Sequence, residues 1–332
     1  RRQVTVCVLV LKGGAGSFLE KTVTPDPVVA ENARKGMLSM VTAGRKLAVT
    51  TWNIAAINNN PFEYWITYKG DPQYEKLMVD VEQFLENPGD KDVPVSQVFT
   101  EEMFAQLDKQ LTEVGKWKSV KNYWDEYKKR NIVSGFLKDK LLGKKRLASM
   151  PDRITNTINV DSSDEPVCRP TVINQYGGDL STLDKWWTEW QRFMFVTPLK
   201  MKTKDGVEEK IPYQLLKTIK NAKYPMITLQ EEEDSLPLQT MCAAIFDAIL
   251  VHMMNTVSPP ETWQGIRRTL VENLNRKKTP HTLDILERVY IESDIITLQE
   301  VASSFIETAK TNSKLGNLFH IAAPTSMDGA RD

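Results

Sequence analysis

The chain has 332 residues, with 43 Lys+Arg balanced by 43 Asp+Glu, and 41% of its residues are hydrophobic. That length and apolar content suit one large domain or two ordinary ones, and the zero net charge argues against a general polyanion-coating role while leaving room for a local basic groove. Cys7, Cys168 and Cys242 are odd in number and widely spaced, which gives neither a disulfide framework nor a zinc spacing and points to a reducing, intracellular compartment.

The chain opens Arg1-Arg2, then runs through an apolar stretch at 4–11 closed by Lys12-Gly13-Gly14. That stretch is too short to cross a bilayer and reads as a strand or as the remnant of an organelle-directing leader. The glycines at 13, 14 and 16 lack the Gly-Lys-Ser/Thr of a phosphate loop and read as a connector. A short helix is expected over 29–41. Residues 46–57 form the first strong strand pattern, which Asn58-Asn59-Asn60-Pro61 ends. Phe62-Glu63-Tyr64-Trp65-Ile66 reads as a second strand or an aromatic ledge.

From 71 to 290 the pattern is mostly helical. Asp71-Pro72 caps a helix to about 85, and Thr100-Glu101-Glu102 opens another with Met103, Leu107, Leu111 and Val114 on one face. A long charged helix is expected over 120–145, ending in Lys144-Lys145-Arg146 as a solvated, dipole-compatible terminus. Ser181-Thr182-Leu183-Asp184 resembles a capping box before a helix bearing Trp186, Trp187 and Trp190. These aromatics, with Trp117, Trp124 and Tyr127, read as buried anchors or a protein-binding surface; base stacking is the rarer use. A hairpin is expected over 199–211, then helices over 212–222, 237–255, 259–275 and 282–290. No run reads as a transmembrane segment.

Two strand ends carry side chains suited to a hard cation. Ser293-Asp294-Ile295-Ile296-Thr297-Leu298-Gln299-Glu300-Val301 reads as a buried strand that delivers Glu300 at its C-terminal end, where rigid backbone can hold a carboxylate at fixed distance from Mg²⁺. Leu47-Ala48-Val49-Thr50-Thr51-Trp52-Asn53-Ile54 reads as a second strand ending in the amide of Asn53. Strand-Trp-Asn followed by strand-Leu-Gln-Glu resembles the opening half of the endonuclease/exonuclease/phosphatase superfamily, to which deoxyribonuclease I, the apurinic-site endonucleases, the inositol polyphosphate phosphatases and the nocturnin-like deadenylases belong. The matched residues are about 46–58 and 291–301, with a weaker tail at 316–332.

The resemblance implies that Asn53 and Glu300 lie side by side as metal-site residues for Mg²⁺ (or Mn²⁺). The implied activity is hydrolysis of a phosphate ester, with RNA among the candidate substrates. Tyr224-Pro225-Met226-Ile227-Thr228-Leu229-Gln230-Glu231 repeats the same letters, so Glu231 stands as the alternative metal ligand, although the acidic run after it reads as a solvated loop. Catalysis would also need an Asp/Asn pair and a late Asp-His element. His252, His281 and His320 do not fit that element, and no catalytic base is assigned. Asp328-Gly329-Ala330-Arg331-Asp332 resembles the loop before the next strand in some relatives, so the catalytic half is expected beyond residue 332 and the chain alone is expected to be inactive.

The expected organisation is α+β: a partial nuclease-like β-sandwich of αββα type interrupted by a large, mostly helical insertion. Residues 1–45 would be an extension, 46–66 the first part of the sheet, 67–290 the insertion and 291–332 the continuation of the sheet. Closing a loop of about 220 residues is tolerable because its entropy grows only logarithmically with length. The second functional class, a non-catalytic interaction subunit, would use the helical insertion to dock on a larger protein assembly.

Overall fold

The computed structural model describes residues 8–12, 46–55, 60–62, 71–161, 166–203 and 206–323. The fold is mixed α and β, with helix predominating and only small sheets. The chain divides into two compact units, Arg1–Asn58 with Val271–Asp332, and Asn59–Leu270. The expectations at 13–16, 29–41, 63–66 and 328–332 lie outside the described residues.

The first unit is organised on a four-stranded sheet. Its strands are β1 (Val8–Lys12), β2 (Val49–Asn53), β7 (Ile295–Gln299) and β8 (Phe319–Ala322), in the order β2-β7-β1-β8. β2 and β7 are parallel, in register from Val49 opposite Ile295 to Asn53 opposite Gln299. β1 pairs antiparallel with β7 on one side and β8 on the other. Ile296 and Leu298 alternate inward on β7, as period-two geometry requires. They cluster with Leu283 and Leu286 of α10 (Lys278–Val289), Phe305, Ile306 and Ala309 of α11 (Ser303–Thr311), and Leu315 of α12 (Lys314–Leu318). α10 shares this core, and Val271–Asp332 belongs to the same compact unit as the sheet. On β2 the other set of side chains, Val49, Thr51 and Asn53, is exposed. β2 is also shorter than expected, because the chain turns left-handed at Ala55 (φ 51°).

The second unit is built around the long helix α8 (Ser235–Val257), most of whose residues are buried. It is the one described helix long and apolar enough to cross a bilayer, but 83% of its apolar window is buried inside the protein. Around it lie α1 (Pro72–Glu86), α2 (Glu101–Glu113), α3 (Lys121–Tyr127), α4 (Lys140–Lys145), α5 (Ser149–Thr155), α6 (Leu183–Phe195), α7 (Leu229–Glu233) and α9 (Pro260–Val271). Two short antiparallel pairs complete it: β3 (Thr157–Ile158) with β4 (Val167–Cys168), and β5 (Leu199–Thr203) with β6 (Gly206–Lys210). Asp71, Thr100 and Thr182 cap α1, α2 and α6 with side-chain acceptors, each satisfying donors that the first turn leaves open.

Trp124, Trp186, Trp187 and Trp190 are core residues whose indole N–H groups are satisfied. Trp124 donates to Glu101 Oε2 at 2.7 Å, Trp186 to the Pro170 carbonyl at 2.9 Å, Trp187 to Gln106 Oε1 at 2.8 Å and Trp190 to Asp247 Oδ2 at 2.8 Å. Phe104 stacks on Trp124 with ring centroids 4.9 Å apart. Burial of this kind leaves Trp124, Trp186, Trp187 and Trp190 no free face for a nucleic-acid base.

Two helix expectations are corrected. The expected helix over 120–145 is interrupted. Asn131 leaves α3's path to form a β-bridge with Pro94, a π-helical turn spans Ile132–Leu137, and Asp139 recaps the chain for α4. The expected helix over 212–222 is only a short turn, Pro212–Leu215, followed by irregular chain that buries Leu216 and Ile219.

Candidate strand-end site

The sheet brings Asn53 and Glu300 to the same end of two neighbouring parallel strands. Asn53 is in register with Gln299, and Glu300 is the next residue along. The register is fixed at both ends. At the start, Asp294 Oδ2 accepts from Ala48 N at 3.0 Å, the Asp294 and Ile295 amides donate to the Ala48 carbonyl at 2.8 and 3.2 Å, and the Thr50 and Ser293 hydroxyls lie 2.7 Å apart. At the finish, Ile54 N donates to the Gln299 carbonyl at 3.0 Å and Gln299 Nε2 to Thr51 Oγ1 at 3.0 Å. A slip by one residue would turn Ile296 and Leu298 to the opposite face, so these polar clamps and the apolar core specify the same pairing.

Both strands end in strained backbone. Ala55 and Glu300 each have φ 51°, a left-handed conformation that costs a residue with a Cβ about 1–2 kcal/mol. Asn53 Oδ1 accepts from Ala55 N at 2.8 Å, which shapes the turn after β2. Strain of this kind persists only where the surrounding structure holds the residue in place.

A third side chain joins this corner. Lys278, at the first turn of α10, donates Nζ to the Ala55 carbonyl at 2.6 Å. Burial pulls its ammonium below the ordinary lysine range, and the Glu300 carboxylate opposes that shift. The sequence reading missed Lys278. Its signal was a cation at a helix N-terminus, where the macrodipole disfavours positive charge unless a tertiary partner requires it there.

Glu231 is placed differently. It is the third residue of α7, where Thr228 Oγ1 accepts from Glu231 N at 3.1 Å and Glu231 Oε2 accepts from Thr228 N at 2.9 Å. Its other oxygen meets Lys145 Nζ at 2.5 Å, and the residue is buried. Glu231 is therefore neither a strand end nor part of a solvated loop: its two oxygens are used by the helix cap and by an ion pair.

Of the histidines, His252 is half-buried in α8, where burial pulls its imidazole below the ordinary range, His281 is exposed on α10 and His320 is exposed on β8. Among the described residues, no three His, Cys, Asp or Glu side chains group together as a metal site.

No curated protein and no solved structure matches this chain. Residues 92–268 match a family described as a domain of unknown function, DUF8234. That match lies within the second compact unit and includes neither Asn53 nor Lys278 nor Glu300. It covers more than half of the chain, and the chain belongs to the DUF8234 family.

Proposed function

We propose that the first unit is the metal-binding part of a Mg²⁺-dependent phosphodiesterase or phosphatase of the endonuclease/exonuclease/phosphatase type, with a nuclease among the candidate activities and RNA among the candidate substrates. The observation that carries this reading is the pairing of β2 with β7, which sets Asn53 beside the Gln299-Glu300 step at one end of the sheet. On this reading the sheet is half of an αββα sandwich, its apolar core shared with α10, α11 and α12 while Val49, Thr51 and Asn53 line an open face.

The donor chemistry fits a hard cation. Magnesium takes one or two protein carboxylates and keeps several waters. Glu300 would be the direct ligand, and Asn53 would hold a metal-bound water or a phosphate oxygen through its amide. When bound, the ion would polarise a phosphoryl oxygen and supply an activated water. Lys278 adds a fixed positive charge to the same corner, suited to orienting an anionic substrate. The groups that position the nucleophile and protonate the leaving oxygen are assigned to no residue of this chain.

The test is Mn²⁺ titration of the full chain by calorimetry. Glu300→Gln is expected to weaken Mn²⁺ binding about tenfold or more. Equal Mn²⁺ binding by wild type and Glu300→Gln would overturn the assignment. A second reading, a non-catalytic interaction subunit on a degenerate nuclease-like sheet, is favoured by Lys278 itself. Its ammonium already supplies a cation to the Glu300 corner, so the corner can be electrostatically complete without a metal. Lys278→Met separates the two. Tighter Mn²⁺ binding in the variant supports a metal site, whereas lost stability with no metal binding supports the structural subunit.

A further inference from the structure

The second unit carries a ledge where cations are exposed and three of the four acids in the adjacent run, Glu231, Glu232 and Asp234, are engaged by the protein itself. The chain over 216–228 is pinned by Leu216, Ile219 and Ile227, all buried, by Ile219 N donating to Ser235 Oγ at 2.8 Å, and by Gln239 Nε2 donating to the Lys217 carbonyl at 3.0 Å. Lys217, Lys220 and Lys223, interleaved with those anchors, are exposed. The 2.5 Å ion pair between Lys145 and Glu231 ties α4 to α7 beside this segment, and Asn221 N donates to Glu232 Oε2 at 2.7 Å. α4 contributes exposed Lys140 and Lys144, with Arg146 at its left-handed C-terminal cap.

The acidic run at 231–234 does not neutralise these charges. Glu231 pairs with Lys145, Glu232 accepts from Asn221, and Asp234 accepts from Tyr123 and Gln230. Only Glu233 of the run is exposed. No ion pair among the described residues engages Lys140, Lys144, Arg146, Lys217, Lys220 or Lys223. The same ledge exposes three large apolar side chains, Leu141 at 44%, Met226 at 43% and Leu229 at 73%.

We propose that this ledge is a peripheral docking surface for an anionic lipid membrane. Unpaired lysines gain from the negative potential of anionic headgroups, and protruding aliphatic side chains enter the headgroup–acyl boundary, where a strictly ionic partner would leave them in water. Single-stranded nucleic acid is the less suitable polyanion, because its binding sites add several exposed aromatic stacking faces, whereas the one aromatic ring of the 216–228 segment, Tyr224, is half-buried with Lys223 Nζ 5.5 Å from its centroid and the exposed apolar side chains are Leu141, Met226 and Leu229. The surface is independent of the strand-end site and belongs to the DUF8234 unit.

The test is co-sedimentation of the full chain with vesicles of phosphatidylcholine alone and of phosphatidylcholine with about one third phosphatidylserine. Binding is expected only to the anionic vesicles, and it should weaken between about 0.1 M and about 0.5 M salt as screening shortens the reach of the charges. Replacing Lys217, Lys220 and Lys223 together with Gln is expected to lower partitioning about a hundredfold, and Leu229→Ser about tenfold. A control triple of Lys109→Gln, Lys121→Gln and Lys185→Gln, all exposed and outside the ledge, should bind as wild type. Absence of binding, equal binding to neutral vesicles, an unaffected ledge triple, or displacement from vesicles by a single-stranded RNA that the ledge triple no longer binds would each overturn the proposal.

Discussion

Asp247→Ala is the substitution whose consequence can be worked most fully. Asp247 lies in α8 with no exposed side-chain surface and accepts from Arg169 Nε at 2.7 Å, Arg169 Nη2 at 3.2 Å and Trp190 Nε1 at 2.8 Å. Arg169 is equally buried and also reaches Thr155 Oγ1 and Asp152 Oδ1, each at 2.7 Å. Burial pushes the Asp247 carboxyl above its ordinary value, with Arg169 opposing the shift. Truncation would leave the guanidinium with Asp152 as its remaining carboxylate and the indole N–H with no acceptor. Removing one partner of a buried pair costs about 3–5 kcal/mol, and an orphaned buried donor about 1–3 kcal/mol. The two penalties share the same site, so the expected loss is about 4 kcal/mol. Urea titration followed by tryptophan fluorescence reads this unit selectively, because every tryptophan except Trp52 lies within it. Arg169→Met combined with Asp247→Leu removes both charges and should recover to within about 2 kcal/mol of wild type. A loss below about 1 kcal/mol in the single variant, or a double variant no better than the single, would refute the claim that an unpaired buried charge sets the penalty.

Two further predictions concern local geometry. Burial alone would raise the Asp92 carboxyl, but hydrogen bonds from Ser134 Oγ at 2.6 Å and Val133 N at 2.7 Å hold it below its ordinary value. A depressed carboxylate stabilises above its unfolded pKa and loses that contribution as pH falls through its folded pKa. Asp92→Asn should therefore lose about 1 kcal/mol near neutral pH, and the gap to wild type should close below about pH 4 in acid titrations of stability. A gap independent of pH counts against the carboxylate's role. At Gly316, an added Cβ would lie 2.3 Å from the Lys310 carbonyl oxygen and 2.8 Å from that of Ala309. Gly316→Ala should lower stability by about 2 kcal/mol, read by thermal melting, and an unchanged melting temperature would show that α12 can move away at little cost.

The sequence made local features legible where the physics is local. Helix starts at Asp71, Thr100 and Thr182 could be read because a cap is a few residues of chain satisfying its own first turn. The limit is set by a repeated pentapeptide. Ile-Thr-Leu-Gln-Glu occurs at 227–231, where it starts helix α7, and at 296–300, where it is strand β7 and a left-handed turn. The letters cannot distinguish the two. At 296–300 the pairing with β2 and the clamp from Asp294 to Ala48 impose extension, whereas at 228 the Thr228 hydroxyl finds the Glu231 amide and closes a cap. The interruption of the expected 120–145 helix was equally remote from local pattern, because it rests on a bridge between Pro94 and Asn131. Lys278 stayed hidden because its partner, the Ala55 carbonyl, is near only in space.

The β2–β7 register has a consequence for the order of events during synthesis. Val49–Asn53 leaves the ribosome long before Ile295–Gln299, with the whole second unit translated in between. At ordinary elongation rates the wait is on the order of ten to fifty seconds. The helical unit is a compact body with its own core, so it has time to fold while β2 still lacks its neighbour. The nascent edge, with Trp52 and Val49 unpaired, is then the segment most in need of chaperone cover until β7 emerges.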